Sequence, residues 1–275
     1  MDFSKYEATA NDFIMLDCTC GELHLTAEKV ASLCDRHTGV GADGVIVMLL
    51  SERADIMMRI FNADGSEAQM CGNGIRALFR FALDRGVASG DRITVETASG
   101  LKTVSRKRAE SGEELFAVEM GAPAWTRSDV GMAGEDEAVK VPVELGDGTV
   151  LSATCVSMGN PHCVIFVDEV EGHRVADIGP MLENHSLFGE RTNVEFVRVV
   201  NEERLEVRVW ERGVGETMAC GTGACASLVA ANLNGLTGRK AVVALPGGEL
   251  EVEWLVEGVR LTGPARHVFD GSMVE

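Results

Sequence analysis

Two short stretches of the chain could do chemistry. Residues 70–77 read MCGNGIRA and residues 219–226 read ACGTGACA. Each has a cysteine, then Gly-x-Gly, then a run with helical spacing. A thiol just before a helix start meets free backbone N–H groups and the positive end of the helix dipole. That setting lowers its pKa and populates the thiolate, the form that can act as a base. The same amides can bind a carboxylate, and the glycines let it approach the backbone. Two such devices face to face would hold a small acid between two cysteines, one a thiolate and the other a thiol. This suits removal of a proton from one face of a carbon and delivery of a proton to the other, as in a two-base racemase or epimerase. A redox pair is the other use of two cysteines. It would lack Cys-x-x-Cys spacing, and it has no need of glycine amides on both sides.

The elements that must position these cysteines repeat with them. Cys71 and Cys220 are 149 residues apart, as are Gly72 and Gly221, and Gly74 and Gly223. The same offset relates Arg59 to Arg208, Asn62 to Glu211, Glu67 to Glu216 and Gly86 to Gly235. Further upstream it relates Asn11 to Asn160 and Gly44 to Asn193. A register kept this long implies two copies of one domain, facing each other. DIMMRIF (55–61) and RLEVRVW (204–210) alternate as half-buried strands do. After each Cys-Gly-x-Gly turn a helix follows. Ile75, Leu78, Phe79, Ala82 and Leu83 share a helical face, and Gly86 stops the helix at its C′ position. In the second copy Thr222 is a good N-cap and the helix runs to Gly235. VIVMLL, ITVET, AVVALP and ELEVEWL read as further short strands. The fold class expected is α+β with two similar domains. Residues 125–138, WTRSDVGMAGEDEA, are the best linker candidate.

Composition narrows the partners. The 275 residues have room for two domains with cores of their own. A formal net charge of −18 repels phosphate backbones and anionic lipid, which argues against nucleic acid and membrane surfaces. The longest apolar run is far short of the roughly 18 residues of a membrane helix. The start lacks the charge and apolar pattern of a signal peptide, so a cytoplasmic protein with reduced thiols is expected. Cys18, Cys20, Cys34, Cys155, Cys163 and Cys225 then read as small buried hydrophobes.

FNADGSEAQMCGNGIRA (61–77), SMGNPHCVIFVD (157–168) and ERGVGETMACGTGACAS (211–227) resemble diaminopimelate epimerase. The match takes in Asn11-Asp12-Phe13 and HTGVGADG (37–44) and spans nearly the whole chain. Proline racemase relatives share the two cysteines, with Cys-Gly-His-Gly where this chain has Asn73. The resemblance implies two pseudo-symmetric domains, 1–121 and 122–265, with the segment 266–275 returning to the first. Each would be a curled, mostly antiparallel sheet around a central helix, with the active site in the cleft between them. It also implies a homodimer that uses neither pyridoxal phosphate nor a metal. Such an enzyme interconverts LL- and meso-diaminopimelate, a step toward lysine and peptidoglycan.

By the same resemblance Cys71 and Cys220 are the acid/base pair, with Cys220 the proton acceptor and Cys71 the donor in the LL-to-meso direction. Gly72-Asn73 and Gly221-Thr222 would offer amides to the reacting carboxylate. Asn11, Asn62, Asn160, Asn193, Glu211 and Arg212 would complete the substrate contacts, and His162 and Glu211 would tune the cysteines. Diaminopimelate has a second amino-acid head that must be held but not reacted. Arg212 suits its carboxylate, and the twin position of Arg212 is Ala63, so only one copy carries it. Some relatives use a glutamine where this chain has Gly44, which removes one expected side-chain contact.

Other signals carry less. Gly39 to Gly44 satisfy G-x-G-x-x-G, but a helix-like KVASLCDRH precedes them and a strand follows, the reverse of a dinucleotide turn. Cys18, Cys20, His24, Cys34 and His37 could suggest zinc, yet their spacing fits no usual finger. The competing functions are a racemase for another amino acid and a thiol redox or small-acid-binding protein.

Overall fold

The structure is a computed structural model and describes residues 1–21, 25–109, 111–172 and 174–273. His24 and the last two residues of the segment 266–275 lie outside the described residues. The chain divides into two compact units. One comprises Met1–Glu119 and Thr262–Glu275, the other Met120–Leu261.

In the first unit β1 (Asp2–Ala8) and β2 (Asn11–Asp17) form an antiparallel hairpin. Helix α1 (Ala27–Cys34) carries the chain over to β3 (Gly44–Leu49), which pairs parallel to β2. A parallel neighbour needs such a crossover. β3 turns back into β4 (Ile56–Asn62), and a short β5 (Glu67–Ala68) folds against it. Helix α2 (Gly72–Asp84) is the second crossover and delivers β6 (Arg92–Thr97), parallel to β4. β7 (Gly100–Arg108) and β8 (Glu114–Gly121) extend the antiparallel ladder.

The second unit repeats this order. β9 (Val141–Glu144) pairs with β10 (Val150–Ser157), and β10 with β11 (Pro161–Phe166). Helix α3 (Val175–Glu183) leads to β12 (Asn193–Asn201), parallel to β11. β13 (Arg204–Glu211) and the short β14 (Gly215–Thr217) precede helix α4 (Gly221–Leu233). β15 (Lys240–Leu245), parallel to β13, then begins β16 (Gly248–Trp254) and β17 (Val259–Pro264). β18 (Arg266–Ser272) belongs to the first unit and lies antiparallel to β1, as β9 does to β10.

Helices α2 and α4 are in step to the residue, and so are β3 and β12 at their first residues, Gly44 and Asn193. Both helices end with a glycine at φ +70°, Gly86 and Gly235, the left-handed C′ position that glycine adopts without strain. Ten of the 13 residues of each helix are buried, so each is enclosed by its sheet rather than resting one face on it. Of the face expected for α2, Ile75, Leu78, Phe79 and Ala82 are buried and Leu83 is half-buried, while Arg76, Ala77 and Phe81 are buried as well.

Three expectations need correction. Residues 125–138 are no linker. They lie wholly inside the second unit, where Val130, Met132 and Ala138 enter the core beside Val143, Cys155 and Phe196. Thr222 is not the cap of α4 but its second residue, because Cys220 takes the capping place. Cys20 is exposed and Cys18 half-buried, since both lie in the turn after β2.

Candidate active site

Each cysteine is the N-cap of its helix. Cys71 and Cys220 have extended backbones, φ/ψ −139°/121° and −125°/115°. Their sulfurs accept from the amides three residues on, Gly74 N at 3.4 Å and Gly223 N at 3.3 Å. Each thiol thus takes the place that a Ser or Asp oxygen usually fills.

In the first unit a polar chain fixes what faces Cys71. Asn11 Oδ1 lies 3.7 Å from Cys71 Sγ and 3.4 Å from Asn73 Nδ2. The other end of Asn11 donates to Asp43 at 2.7 Å. Asp43 in turn receives Arg36 at 2.7 Å, and the same guanidinium reaches Asp12, which also pairs with Lys5 at 2.6 Å. Asn73 is oriented by the buried Arg76, which donates to its Oδ1 at 3.0 Å and to Gly72 O at 3.1 Å. Asn62, by contrast, bonds Ser66 Oγ at 3.0 Å within the β4–β5 turn. Gly44 has no side chain for a physical reason: a Cβ there would stand 2.5 Å from Phe61 O.

In the second unit His162 is fully buried. Its Nδ1 lies 2.6 Å from Glu195 Oε1 and its Nε2 3.2 Å from Asn160 Oδ1. Asn160 Nδ2 donates to Thr222 Oγ1 at 3.4 Å, and that hydroxyl lies 3.4 Å from Cys220 Sγ. Glu211 accepts from Thr217 Oγ1 at 2.5 Å.

Electrostatics set Cys220 apart from the expected activated thiolate. Burial, then the carboxylates of Glu211 and Glu195, push its thiol well above the ordinary value. The Thr222 hydroxyl and the Gly223 amide pull the other way and lose. Lowering by the helix N-terminus therefore does not decide this cysteine; desolvation does. Burial also raises the Glu211 carboxyl, against Thr217 and His162.

The diaminopimelate epimerase family profile matches residues 3–126 and 154–268. The chain belongs to the diaminopimelate epimerase family. The diaminopimelate epimerase of Pelotomaculum thermopropionicum is 48% identical over 277 residues, covering 99% of this chain and 98% of its own. That of Moorella thermoacetica is 47% identical over 280 residues, covering 99% of each chain. Among solved structures, a PhzF-family phenazine biosynthesis protein of Bacillus anthracis superposes with a TM-score of 0.71 at 19% identity, covering 100% of this chain and 99% of its own. A hydroxyproline epimerase of Agrobacterium vitis gives 0.71 at 12% identity, covering 98% and 91%. At such identities the likeness shows the fold alone.

For a member of the diaminopimelate epimerase family, the turn after β13 is the informative asymmetry. Asn193 bonds backbone at both ends of its carboxamide, donating to Pro161 O at 2.9 Å and accepting from Arg212 N at 3.0 Å. The Arg212 guanidinium donates to Glu190 O at 3.0 Å. Beneath them Glu183 accepts from Trp210 Nε1 at 2.7 Å, Gly213 N at 2.9 Å and Arg191 at 3.1 Å. Glu183, Glu195 and Asp43 were missed in the sequence. Asp43 sits in the quoted HTGVGADG motif and could have been suspected. Glu195 lies in NVEFVRVV, an ordinary strand but for one acid.

Proposed function

We propose that the chain catalyses cofactor-independent epimerisation of LL-diaminopimelate to meso-diaminopimelate, an isomerase step in lysine and peptidoglycan-precursor synthesis. The observation that carries the reading is the doubled device: in each unit a cysteine sulfur caps a glycine-opened helix. Cys71 and Cys220 serve opposite faces of one α-carbon, with Gly72-Asn73 and Gly221-Thr222 offering amides to its carboxylate. In the LL-to-meso direction Cys220 takes the proton and Cys71 gives one.

The electrostatics of Cys220 fit that role. An amino-acid α-proton is far less acidic than a thiol, so a thiol kept strongly basic has the smaller gap to cross. Glu211 is the largest charge holding a proton on Cys220. The substrate's ammonium, bound at Glu211, cancels that charge, so binding itself prepares the base. Asn11, Asn62 and Asn160 supply further polar contacts, and Asn193 holds the Arg212 turn. Arg212 grips the distal carboxylate, which favours diaminopimelate over a simple amino acid. We place the enzyme in the cytoplasm as a homodimer.

Purified protein incubated with LL-diaminopimelate and no added cofactor should yield the meso form by chiral chromatography. Reaction only with added pyridoxal phosphate, or conversion of proline instead, would overturn the reading.

A further inference from the structure

The repeat relates Glu195 to Ile46 and His162 to Phe13, at the common offset of 149 residues. The correspondence holds in space within each unit. A Cβ placed on Gly74, the third residue of α2, would meet Ile46 Cδ1 at 2.8 Å. A Cβ placed on Gly223, the third residue of α4, would meet Glu195 Oε1 at 2.7 Å. A carboxylate oxygen in the second copy therefore stands where the first copy has a methyl group, directly under the turn that the catalytic cysteine caps. Phe13, Ile46, His162 and Glu195 are all buried, and Glu195 and His162 are completely so. Glu195 Oε2 has no hydrogen-bond partner among the described residues. A core filler would not be a carboxylate, because a buried carboxylate with one oxygen unmatched is costly to keep. The copy with the apolar pair folds the same elements, so the fold does not require the acid.

We propose that Glu195 is a positioning residue for Cys220, acting through His162. This rests on the epimerase reading above. Glu195 Oε1 fixes the imidazole through Nδ1 at 2.6 Å. The fixed ring sets Asn160 through Nε2, Asn160 sets the Thr222 hydroxyl, and that hydroxyl faces Cys220 Sγ. With Asn160 Nδ2 donating to Thr222 Oγ1, the Thr222 proton is left to point at the sulfur. The chain thus offers a donor to Cys220 while it carries negative charge. Because the fixed imidazole can carry its proton on either nitrogen, and the carboxamide and hydroxyl can each turn, the same chain can run in reverse and accept from Cys220 when it is protonated. Glu195 anchors the far end in either sense. In the first copy Asn11, anchored by Asp43, instead turns its carbonyl oxygen toward Cys71 Sγ.

The test uses Glu195→Gln, His162→Phe and the double variant Glu195→Ile/His162→Phe, which rebuilds the apolar pair of the first copy. Glutamine keeps the volume and an acceptor for Nδ1. Glu195→Gln should lower kcat roughly 10- to 100-fold, less than the roughly 10²–10⁴-fold of a group that moves the proton itself, while KM and the melting temperature stay near wild type. The double variant should fold as stably as wild type, since apolar isosteres of a buried pair are tolerated. It should be no slower than His162→Phe alone, because Glu195 acts through His162. Wild-type kcat in folded Glu195→Gln, or in the double variant, overturns the proposal and leaves the epimerase reading standing. A double variant slower than His162→Phe by the full Glu195→Gln factor also overturns it. A wild-type enzyme inactive on diaminopimelate overturns both.

Discussion

Asn11 and Asn160 occupy the same place in the two copies and turn opposite ends of their carboxamides toward the capped helix. Asp43 takes the amide of Asn11, so its carbonyl faces Cys71. His162 takes the carbonyl of Asn160, so its amide faces Thr222, the neighbour of Cys220. One half offers its cysteine an acceptor and the other a route for a donor. Two near-identical devices are thereby given different hydrogen-bonding surroundings.

The cysteines themselves come first. Cys71→Ser or Cys220→Ser should cut epimerisation by at least about 10²–10⁴-fold, since a hydroxyl is a far poorer base at neutral pH. Serine is a favoured N-cap, so neither variant should lose the helix it caps or melt earlier. Steady-state rates and thermal melts check this together. Near-normal turnover in either folded variant would contradict the two-base scheme.

Cys220 and Glu211 give a pH prediction. The thiol is held above its ordinary value by burial first and then by Glu211. Removing that charge lowers the pH at which the thiolate forms. Glu211→Gln should therefore shift alkylation of Cys220 by iodoacetamide to lower pH, and speed it at pH 8. Peptide mass mapping against time reads the site directly. An unchanged profile, or one moved to higher pH, would contradict the assignment of Glu211.

Much of this was legible in the sequence because α2 and α4 are both 13 residues long and Arg59, Glu67 and Cys71 keep their spacing in Arg208, Glu216 and Cys220. Cys71, Cys220, Asn11 and Asn160 could be matched by counting. What the copies do differently was harder to read. Glu195 replaces Ile46 inside a strand whose other residues are apolar or unremarkable, and no motif marks an inward-pointing acid. Thr222 reads as a cap in the sequence because hydroxyl caps are common and thiol caps are not. The stretch 125–138 looks like a linker from its glycines and acids, and most of it is exposed, yet Val130, Met132 and Ala138 anchor it in the core. The raised Cys220 required knowing its burial, which local sequence does not record.

Acid stability tests the network behind Asn11. Burial alone would raise Asp12, but Arg36 and Lys5 outweigh it and hold the carboxyl at about 2. A folded pKa below the unfolded value, about 3.9, adds stability above that value. The gain is lost as pH falls from about 4 toward 2. Asp12→Asn should thus melt below wild type at pH 7, and the gap should close as pH drops. Melts at pH 7, 4 and 2.5 measure it. A gap that stays constant or widens would contradict this.

Arg212 carries the choice of substrate. If it grips the distal carboxylate, Arg212→Ala and an analogue lacking that carboxylate delete two sides of one contact. A charged hydrogen bond of this kind is worth about 1.5–3 kcal/mol, at least roughly tenfold in kcat/KM. The two losses should be non-additive in a cycle over both enzymes and both substrates. Fully additive losses would mean that Arg212 holds something else.

The central claim is direct proton transfer at one α-carbon with no cofactor. Wild-type protein and LL-diaminopimelate are incubated in heavy water without pyridoxal phosphate or metal, and deuterium is located by NMR and mass spectrometry. Deuterium is expected at a single α-carbon of the meso product formed at early times, and no epimerised product is expected from Cys71→Ser or Cys220→Ser. Absence of exchange in the wild type, or undiminished epimerisation by either serine variant, would contradict it.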